Sequence, residues 1–227
     1  MSGVLPALAP RAIAGLYAVT PDRADTDAMT ECVADALAGG AATVQYRNKP
    51  ASPALRLRQA LALRALCTAR GATFIVNDDV DLAQAVDADG VHLGRDDAAI
   101  ATARSRLRSS ALVGVSCYDS LARAEAAVDA GADYIAFGSF FPSNTKPHAA
   151  RAGVALLSAA KLRWKIPIVA IGGITPANAE TLIDAGADAV AVVGALFDTE
   201  DVAAAARSFV ALFDTHALRG QLFHAAR

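Results

Sequence analysis

Residues 129–137 read Asp-Ala-Gly-Ala-Asp-Tyr-Ile-Ala-Phe, a short glycine turn followed at once by an apolar run. The same order of helical pattern, glycine turn and apolar run recurs at residues 38–45, 87–93 and 184–192. In each copy the glycine suits the left-handed position that ends a helix. Apolar runs without polar alternation are typical of parallel strands that are covered on both faces. The sequence therefore predicts a unit of strand and helix that repeats along the chain.

Extending this interpretation to every apolar run predicts eight strands with helices between them. The strands are expected at about residues 14–20, 42–46, 73–77, 90–93, 112–116, 133–138, 167–171 and 188–193. Helical patterns are clearest at about residues 25–38, 53–70, 119–130, 175–185 and 200–213. Eight alternations in 227 residues predict an α/β fold, a single (β/α)8 TIM barrel. The alternative is an open doubly wound sheet, which is weakened because no Gly-x-Gly-x-x-Gly motif follows the first strand.

One domain is expected to take up the whole chain, residues 1–227, because no linker or charge block interrupts it. A short N-terminal extension, 1–13, and a C-terminal helical tail, about 214–227, are expected to flank the barrel.

Composition and charge exclude several classes of protein. The 21 Lys and Arg nearly balance the 23 Asp and Glu, which argues against a general binder of nucleic acid or of anionic membranes. No stretch approaches the roughly 20 uninterrupted apolar residues that span a bilayer, and the first ten residues do not resemble a signal peptide. The three cysteines, Cys32, Cys67 and Cys117, lack metal-ligand spacing. Free thiols in a reducing cytoplasm are expected, and the predicted location is cytoplasmic.

Polar residues are concentrated where the predicted strands end, which in a barrel is the face that carries function. Alternation along the second strand places Gln45, Arg47 and Lys49 on one side. The other strand ends carry the following residues: Asn77-Asp78-Asp79, His92 to Asp97, Ser116, Ser143 to Lys146, Gly172-Gly173 and Val193-Gly194. These groups are expected to meet at the barrel mouth.

The residue types at this mouth indicate a phosphorylated substrate. Arg47, Lys49 and Lys146 supply positive charge, and an arginine can bind phosphate through two parallel hydrogen bonds. Asp78 and one of Asp96 or Asp97 would repel that phosphate unless a cation lay between them, which suggests Mg²⁺. The glycines after the seventh and eighth strands would let backbone amides approach a second phosphate.

Several of these residues also have a purely structural interpretation. Asp79 or Asp96 alone is expected to be a helix N-cap, and Lys49 alone a solvated loop charge. His92 is expected to be a hydrogen-bonded core histidine rather than a catalyst. Nothing near Cys117 in sequence would activate it as a nucleophile.

The motifs in their order resemble the thiamine-phosphate synthase family. They are Gln45-x-Arg47-x-Lys49, Asn77-Asp78, Gly90 to Gly94 with Asp97, Gly114-Val115-Ser116, Phe141 to Lys146, and Ile171 to Ile174. The resemblance runs from about Leu16 to Phe197. It implies an eight-stranded α/β barrel that joins 4-amino-2-methyl-5-(diphosphooxymethyl)pyrimidine to a thiazole phosphate, with release of pyrophosphate.

The resemblance also implies roles for individual residues. Mg²⁺ would be held by Asp78 and Asp97, and catalysis would depend on Arg47, Lys49, Ser116 and Lys146. The pyrimidine diphosphate would be bound by Gln45, Tyr46, Arg47, Asn48, Lys49, Asn77, Ser116 and Lys146. The thiazole phosphate would be bound by Ser143, Asn144, Thr145, Gly173, Val193 and Gly194. Two positions depart from the family pattern, because Ser143 replaces a usual Thr and Gly194 replaces a frequent Ser.

Three other functions remain as alternatives. The first is a thiazole tautomerase-like or regulatory relative, which would not need Arg47, Lys49, Asp78, Asp97 and Lys146 together. The second is a sugar-phosphate isomerase or epimerase, for which His92 is the only partial acid–base candidate. The third is a non-catalytic phosphate-binding module. The expected partners are small-molecule substrates, with no nucleic acid and no membrane, and a homo-oligomer is left open.

Overall fold

The fold is a closed barrel of parallel strands with helices outside it. A computed structural model describes residues 13–94, 100–142 and 151–225. Each strand pairs in parallel with the next along the chain, and pairing of the first strand with the last closes the ring. The predicted (β/α)8 barrel is confirmed.

The strands are short and their bounds lie close to the predicted ones. They are β1 Gly15–Val19, β2 Thr43–Tyr46, β3 Thr73–Asn77, β4 Gly90–Leu93, β5 Leu112–Tyr118, β6 Tyr134–Phe137, β7 Ile168–Ile171 and β8 Ala189–Val192. The largest difference is β5, which continues two residues past the predicted end. A register shift between Ser116 and Tyr118 lets Tyr118 pair with Phe137, so the strand survives a local irregularity.

A helix follows each strand, and β8 is followed by two. They are α1 Thr26–Ala38, α2 Pro53–Arg70, α3 Val80–Ala85, α4 Ile100–Arg106, α5 Leu121–Asp129, α6 Ala155–Arg163, α7 Pro176–Asp184, α8 Gly194–Phe197 and α9 Val202–Ala225. Residues 214–225, expected as a tail, continue α9 without a break. Residues 1–12 of the expected N-terminal extension lie outside the described residues. No helix within the described ranges is long and apolar enough to cross a membrane.

The glycine turns fit the repeat in three copies and differ in one. Gly40, Gly131 and Gly186 take positive φ angles of 98°, 89° and 107°, as a helix-ending glycine should. In the second copy the prediction is wrong, because Asp87 takes the left-handed conformation, with φ 47°. Gly90 instead begins β4, where an added Cβ would lie 2.2 Å from the carbonyl oxygen of Leu112. That glycine is needed for close strand packing.

Two layers of buried side chains hold the barrel together. The larger layer packs the outer face of the strands against the helices. The smaller one fills the barrel interior, and its largest members are Tyr17, Ile75 and Tyr134. A filled interior leaves the mouth, at the carboxyl ends of the strands, as the place for chemistry.

Candidate active site at the barrel mouth

A cleft of about 310 Å³ opens where β2 and β3 end. Its walls carry three cations, Arg47, Lys49 and Arg56, and two carboxylates, Asp78 and Asp79. Tyr46, Asn48, Asn77 and Leu82 complete the lining. The structure therefore brings the predicted residues of the second and third strand ends, except Gln45, into one polar cleft.

Hydrogen bonds from the β1–α1 loop fix the loop that carries Arg47 and Lys49. Thr20 Oγ1 accepts from the Arg47 backbone amide at 2.8 Å and donates to the Arg47 carbonyl at 2.9 Å. One carboxylate oxygen of Asp22 accepts from Arg47 Nη1 and from the Lys49 backbone amide, both at 3.1 Å. The Arg47 side chain and the backbone that carries Lys49 are thus held in place before any ligand arrives.

The neighbouring predicted residues of β2 divide between the barrel interior and its outer side. Gln45 points inward, where its Nε2 donates to the hydroxyl of Tyr17 at 2.8 Å. Tyr46 points outward and donates to Gln59 of α2 at 2.9 Å, and burial raises its pKa to about 12. Asn48 donates through Nδ2 to the carbonyl of Arg23 at 2.6 Å and to Gln59 at 2.9 Å. The polar ends of Tyr46 and Asn48 therefore brace the loop.

Two adjacent carboxylates at the end of β3 have different surroundings. Asp79 caps α3, accepting from the Leu82 amide at 2.9 Å, and it pairs with Arg56 at 3.3 Å. The predicted N-cap is confirmed. Asp78 has a φ of 65°, and one carboxylate oxygen lies 3.1 Å from Lys49 Nζ. Lys49 is therefore not only a solvated loop charge, because it faces the carboxylate expected to bind metal.

His92 is buried and hydrogen-bonded through both ring nitrogens. Nδ1 lies 3.1 Å from the hydroxyl of Tyr134, and Nε2 lies 2.9 Å from Oγ of Ser116. The expectation of a packed core histidine is confirmed. Ser116, predicted as a substrate contact, is thereby tied to the barrel interior. Cys117 is fully buried and burial raises the pKa of its thiol to about 12, which agrees with its dismissal as a nucleophile.

The glycines after β7 pack against the chain that leaves β6. Gly173 has a φ of 66°, and a Cβ there would lie 2.3 Å from the carbonyl oxygen of Pro142 and 2.6 Å from that of Phe141. After β8, Val193 precedes α8 and Gly194 begins it. A Cβ at Gly194 would meet only the carboxylate end of Asp198, at 2.8 Å. At Gly173 the surrounding backbone leaves no room for a side chain. At Gly194 the space is occupied only by the end of the Asp198 side chain, which can move.

Six of the predicted or weighed residues lie outside the described part of the chain: Asp96, Asp97, Ser143, Asn144, Thr145 and Lys146. Within residues 13–94, 100–142 and 151–225, no group of three or more His, Cys, Asp or Glu could hold a metal ion. Asp78 is the member of the expected ligand pair that the structure describes.

Sequence reasoning missed four residues that shape this mouth. Arg56 adds a third cation to the cleft, Asp22 fixes the β2 loop, and Tyr17 and Tyr134 connect Gln45 to His92. Arg56 follows the capped start of α2 by one turn, a position that could have been read as facing the mouth. The two tyrosines lie inside apolar runs and carry no such signal.

Comparisons with known proteins agree on one family. The profile of the family described as thiamine monophosphate synthase matches residues 16–196. The thiamine-phosphate synthase of Chromobacterium violaceum is 55% identical over 205 residues, covering 90% of this chain and 98% of that protein. That of Thiobacillus denitrificans is 57% identical over 199 residues, covering 88% and 94% respectively.

The solved structures agree with this result. Thiamine phosphate pyrophosphorylase from Pyrococcus furiosus matches with a TM-score of 0.80 and 37% identity, covering 88% of this chain and 96% of that chain. A 3-hexulose-6-phosphate synthase structure matches with a TM-score of 0.67 at 20% identity, a likeness of fold alone.

Proposed function

Because the chain belongs to the thiamine monophosphate synthase family, we propose that the cleft at its barrel mouth is where thiamine phosphate is made. The activity is thiamine-phosphate synthesis, in which 4-amino-2-methyl-5-(diphosphooxymethyl)pyrimidine and a thiazole phosphate give thiamine phosphate and pyrophosphate. The observation that carries the placement is the juxtaposition of Arg47, which Asp22 orients, and Lys49 with Asp78 in one cleft.

The diphosphate of the pyrimidine substrate would lie against Arg47 and Lys49. Asp22 already orders this loop, so little reorganisation is needed when charge develops on the leaving pyrophosphate. Lys146 is proposed to add a further cation from the β6–α6 loop, as the resemblance implies. Together these cations would stabilise the departing group in the transition state.

Mg²⁺ fits the donors at this end of the cleft. Asp78 offers a hard carboxylate oxygen beside Lys49, and Mg²⁺ is usually held by one or two carboxylates with substrate phosphates and water. Asp78 and Asp97 would hold the ion. When bound, it would withdraw electron density from the leaving pyrophosphate.

The thiazole phosphate is proposed to bind on the opposite side of the mouth. Backbone amides at Gly173 and at Val193–Gly194 would bind it, and Ser143, Asn144 and Thr145 would contribute further contacts, as the resemblance implies. Phosphate sites in barrels commonly lie at the loops after the seventh and eighth strands. Binding through its own phosphate would fix the thiazole nitrogen near the reacting carbon, so proximity supplies a large part of the rate.

The proposed reaction requires stabilisation of the charge on the leaving pyrophosphate and positioning of the two substrates. The aminopyrimidine ring donates electrons to its exocyclic CH₂, so loss of pyrophosphate leaves a resonance-stabilised cation that the thiazole nitrogen attacks. That nitrogen carries no proton, so no general base is required. Gln45, Asn77 and Ser116 would hold the pyrimidine in place during this step. The hydrogen bonds of both His92 nitrogens within the barrel fit a positioning role better than the acid–base role that an isomerase needs.

The test is pyrophosphate release with both substrates and Mg²⁺, with thiamine phosphate identified as the product. Omitting either substrate should abolish the signal. A tautomerase-like or regulatory relative would bind a thiazole phosphate without releasing pyrophosphate, and that result would contradict the proposal. We further propose that the protein works in the cytoplasm on small molecules, without nucleic acid or membrane partners.

A further inference from the structure

Five polar side chains form one unbroken line of hydrogen bonds across the barrel interior. Gln45 Nε2 lies 2.8 Å from Tyr17 Oη, which lies 3.0 Å from Tyr134 Oη. Tyr134 Oη lies 3.1 Å from His92 Nδ1, and His92 Nε2 lies 2.9 Å from Ser116 Oγ. We call this line the interior relay. It joins β2, β1, β6, β4 and β5, and its two ends are residues proposed to touch the pyrimidine.

Burying the two tyrosine hydroxyls in the middle of the relay requires both hydrogen-bond partners and space in the barrel interior. Tyr17 is 1% exposed and Tyr134 is fully buried, and a buried hydroxyl is unfavourable unless it is hydrogen-bonded. Gly114 lies opposite Tyr134 in the strand register, and a Cβ there would stand 1.9 Å from Cζ of the tyrosine ring. An apolar ring would fill this space without the need for partners. The hydroxyls therefore call for an explanation beyond packing.

The chemistry of the groups gives the relay a direction. An amide nitrogen can only donate, so Tyr17 accepts from Gln45. Either oxygen could donate in the Tyr17–Tyr134 bond, and the arrangement in which Tyr17 donates is the one that gives its hydroxyl proton an acceptor within the relay. In that arrangement Tyr134 would donate to His92 Nδ1, and the ring would carry its proton on Nε2 and donate to Ser116. Ser116 keeps its hydroxyl proton for another acceptor. Gln45 keeps its carbonyl oxygen as an acceptor.

We propose that Tyr17, Tyr134 and His92 are positioning residues that hold Gln45 as a hydrogen-bond acceptor and Ser116 as a donor for the pyrimidine substrate. An aminopyrimidine offers the matching pair, because its amino group donates and its ring nitrogens accept. The inference rests on the proposed function of the mouth. None of the three positioning residues needs to touch substrate, since each acts through an end of the relay.

The kinetic test compares Tyr134→Phe with the parent enzyme. The variant keeps the ring and removes the hydroxyl, so the Michaelis constant for the pyrimidine diphosphate should rise about tenfold, the effect of one or two hydrogen bonds. The Michaelis constant for the thiazole phosphate should stay within about twofold, because that substrate binds elsewhere. Equal effects on both constants would overturn the proposal.

Thr43→Val is the matched control. Thr43 lies on the inward face of β2, two positions before Gln45, and its buried hydroxyl has no hydrogen-bond partner among the described residues. Removing that hydroxyl changes the same interior without cutting the relay. Both Michaelis constants should match those of the parent. A change as large as that of Tyr134→Phe would mean that general packing, and not the relay, sets substrate affinity.

The spectroscopic test reads the direction of the relay without turnover. In ¹⁵N-histidine-labelled protein at mildly alkaline pH, His92 should show the tautomer with its proton on Nε2, its signals being identified among the four histidines by their loss in His92→Asn. Gln45→Met removes the donor at the far end of the relay and should convert this signal to a mixture of tautomers. Tyr134→Phe should do the same, and Thr43→Val should not.

The outcomes separate the two proposals. A proton on Nδ1 in the parent, or a tautomer unmoved by Gln45→Met and Tyr134→Phe, would overturn the relay even if the enzyme is active. A parent without pyrophosphate release would overturn the proposed function and the pyrimidine as the recognised ligand, while the tautomer signal still reported the direction of the relay.

Discussion

At the scale of single residues, backbone conformation gives two adjacent carboxylates different tasks. Asp78 takes a left-handed conformation that few residues other than glycine adopt, although Asp and Asn tolerate it best. This turn directs its carboxylate to Lys49, while Asp79 returns to an extended conformation and caps α3. Strained residues of this kind are often found at functional sites. The geometry therefore favours Asp78 over Asp79 as the metal ligand.

The metal assignment predicts how three substitutions differ. Carboxylates facing a diphosphate without a cation would be repelled by about 4 kcal/mol per pair of unit charges at 4 Å and an effective dielectric of 20. Asp78→Asn and Asp97→Asn should each raise the Mg²⁺ concentration needed for half-maximal pyrophosphate release and lower turnover. Asp96→Asn should do much less. Excess chelator should abolish activity, and Mg²⁺ or Mn²⁺ should restore it.

Pyrophosphate release measured against Mg²⁺ concentration for the parent and the three variants checks this prediction. Full activity in chelator would remove the metal from the proposal. If Asp96 were the sensitive position, the ligand pair would have to be reassigned.

Gly173 and Gly194 should tolerate a side chain very differently. Gly173→Val places a Cβ against two carbonyl oxygens at a positive φ, so use of the thiazole phosphate should fall by on the order of 100-fold or the protein should lose stability. Gly194→Ser meets only the end of the Asp198 side chain, and its activity should stay within about tenfold of the parent. Michaelis constants for the thiazole phosphate and urea midpoints measure both effects.

Gly131→Ala is the control for backbone strain. It has a φ of 89° with no atom within 4 Å of an added Cβ, and it lies at the opposite end of the barrel. It should lose a little stability and keep the parent's Michaelis constants. Equal loss of thiazole phosphate binding in Gly173→Val and Gly194→Ser would cast doubt on the proposed phosphate site.

At the scale of elements, three aspartates tie neighbouring strands together at the amino ends of the strands, opposite the barrel mouth. An aspartate directly precedes each of β4, β6 and β8, namely Asp89, Asp133 and Asp188. Each accepts a hydrogen bond from a backbone amide of the preceding strand, with N···O distances of 2.9, 2.6 and 2.8 Å respectively. Each also pairs with a cation of a helix: Arg64 of α2 for Asp89, Arg104 of α4 for Asp133 and Lys161 of α6 for Asp188. Asp89 pairs in addition with Arg108, which follows α4. The aspartate of the sequence repeat thus ties strand to strand and strand to helix.

Asp89→Ala should be the most destabilising of these substitutions. Asp89 has only 13% of its side chain exposed and bonds two arginines as well as a backbone amide. Its loss should lower the free energy of unfolding by about 3 kcal/mol, because an amide and two guanidinium groups lose their acceptor. Asp81→Ala removes an exposed ion pair with Arg106 and should cost less than about 0.5 kcal/mol. Urea unfolding measures both, and equal losses would show that Asp89 contributes no more than a surface pair.

Local chemistry explains which elements the sequence could predict. The bounds of α2 agree with the prediction because Ser52 caps it, Pro53 opens it and Gly71 ends it at a φ of 68°. The helices α3 and α4 have six and seven residues, too short for a clear periodic pattern, and α6 begins without a side-chain cap. Alternation placed Gln45 on one side with Arg47 and Lys49, but it could not show that Gln45 bonds to Tyr17 or that the polar ends of Tyr46 and Asn48 bond to Gln59.

At the scale of the whole molecule, the barrel brings together groups that sequence spacing hides. Tyr17 and Tyr134 are 117 positions apart, and each lies in an apolar run that predicts only a buried strand. Closure of the sheet through β1 and β8 places them side by side. The mouth could be predicted because strand ends converge in every barrel. The interior relay could not, because it depends on which inward rings meet.

These buried groups predict a loss of stability in alkaline solution. Burial raises the pKa of Tyr17 and of Tyr134, raises that of Tyr46 to about 12 and that of Cys117 to about 12, and raises that of Cys32. In the unfolded chain tyrosine ionises near pH 10 and cysteine near pH 8.5. Above these values the unfolded state has lost protons that the folded state keeps. The contribution of these groups to the free energy of unfolding is therefore fully present below about pH 8 and is lost as pH rises. Each group contributes a slope of at most about 1.4 kcal/mol per pH unit.

Urea unfolding from pH 8 to pH 11 should show a decline in the free energy of unfolding that steepens above pH 10, with tyrosinate absorbance appearing together with unfolding. Tyr134→Phe removes one buried ionisable group, so the slope of that decline should fall by the contribution of about one proton. A free energy of unfolding that stays level to pH 11 would contradict the burial of these hydroxyls.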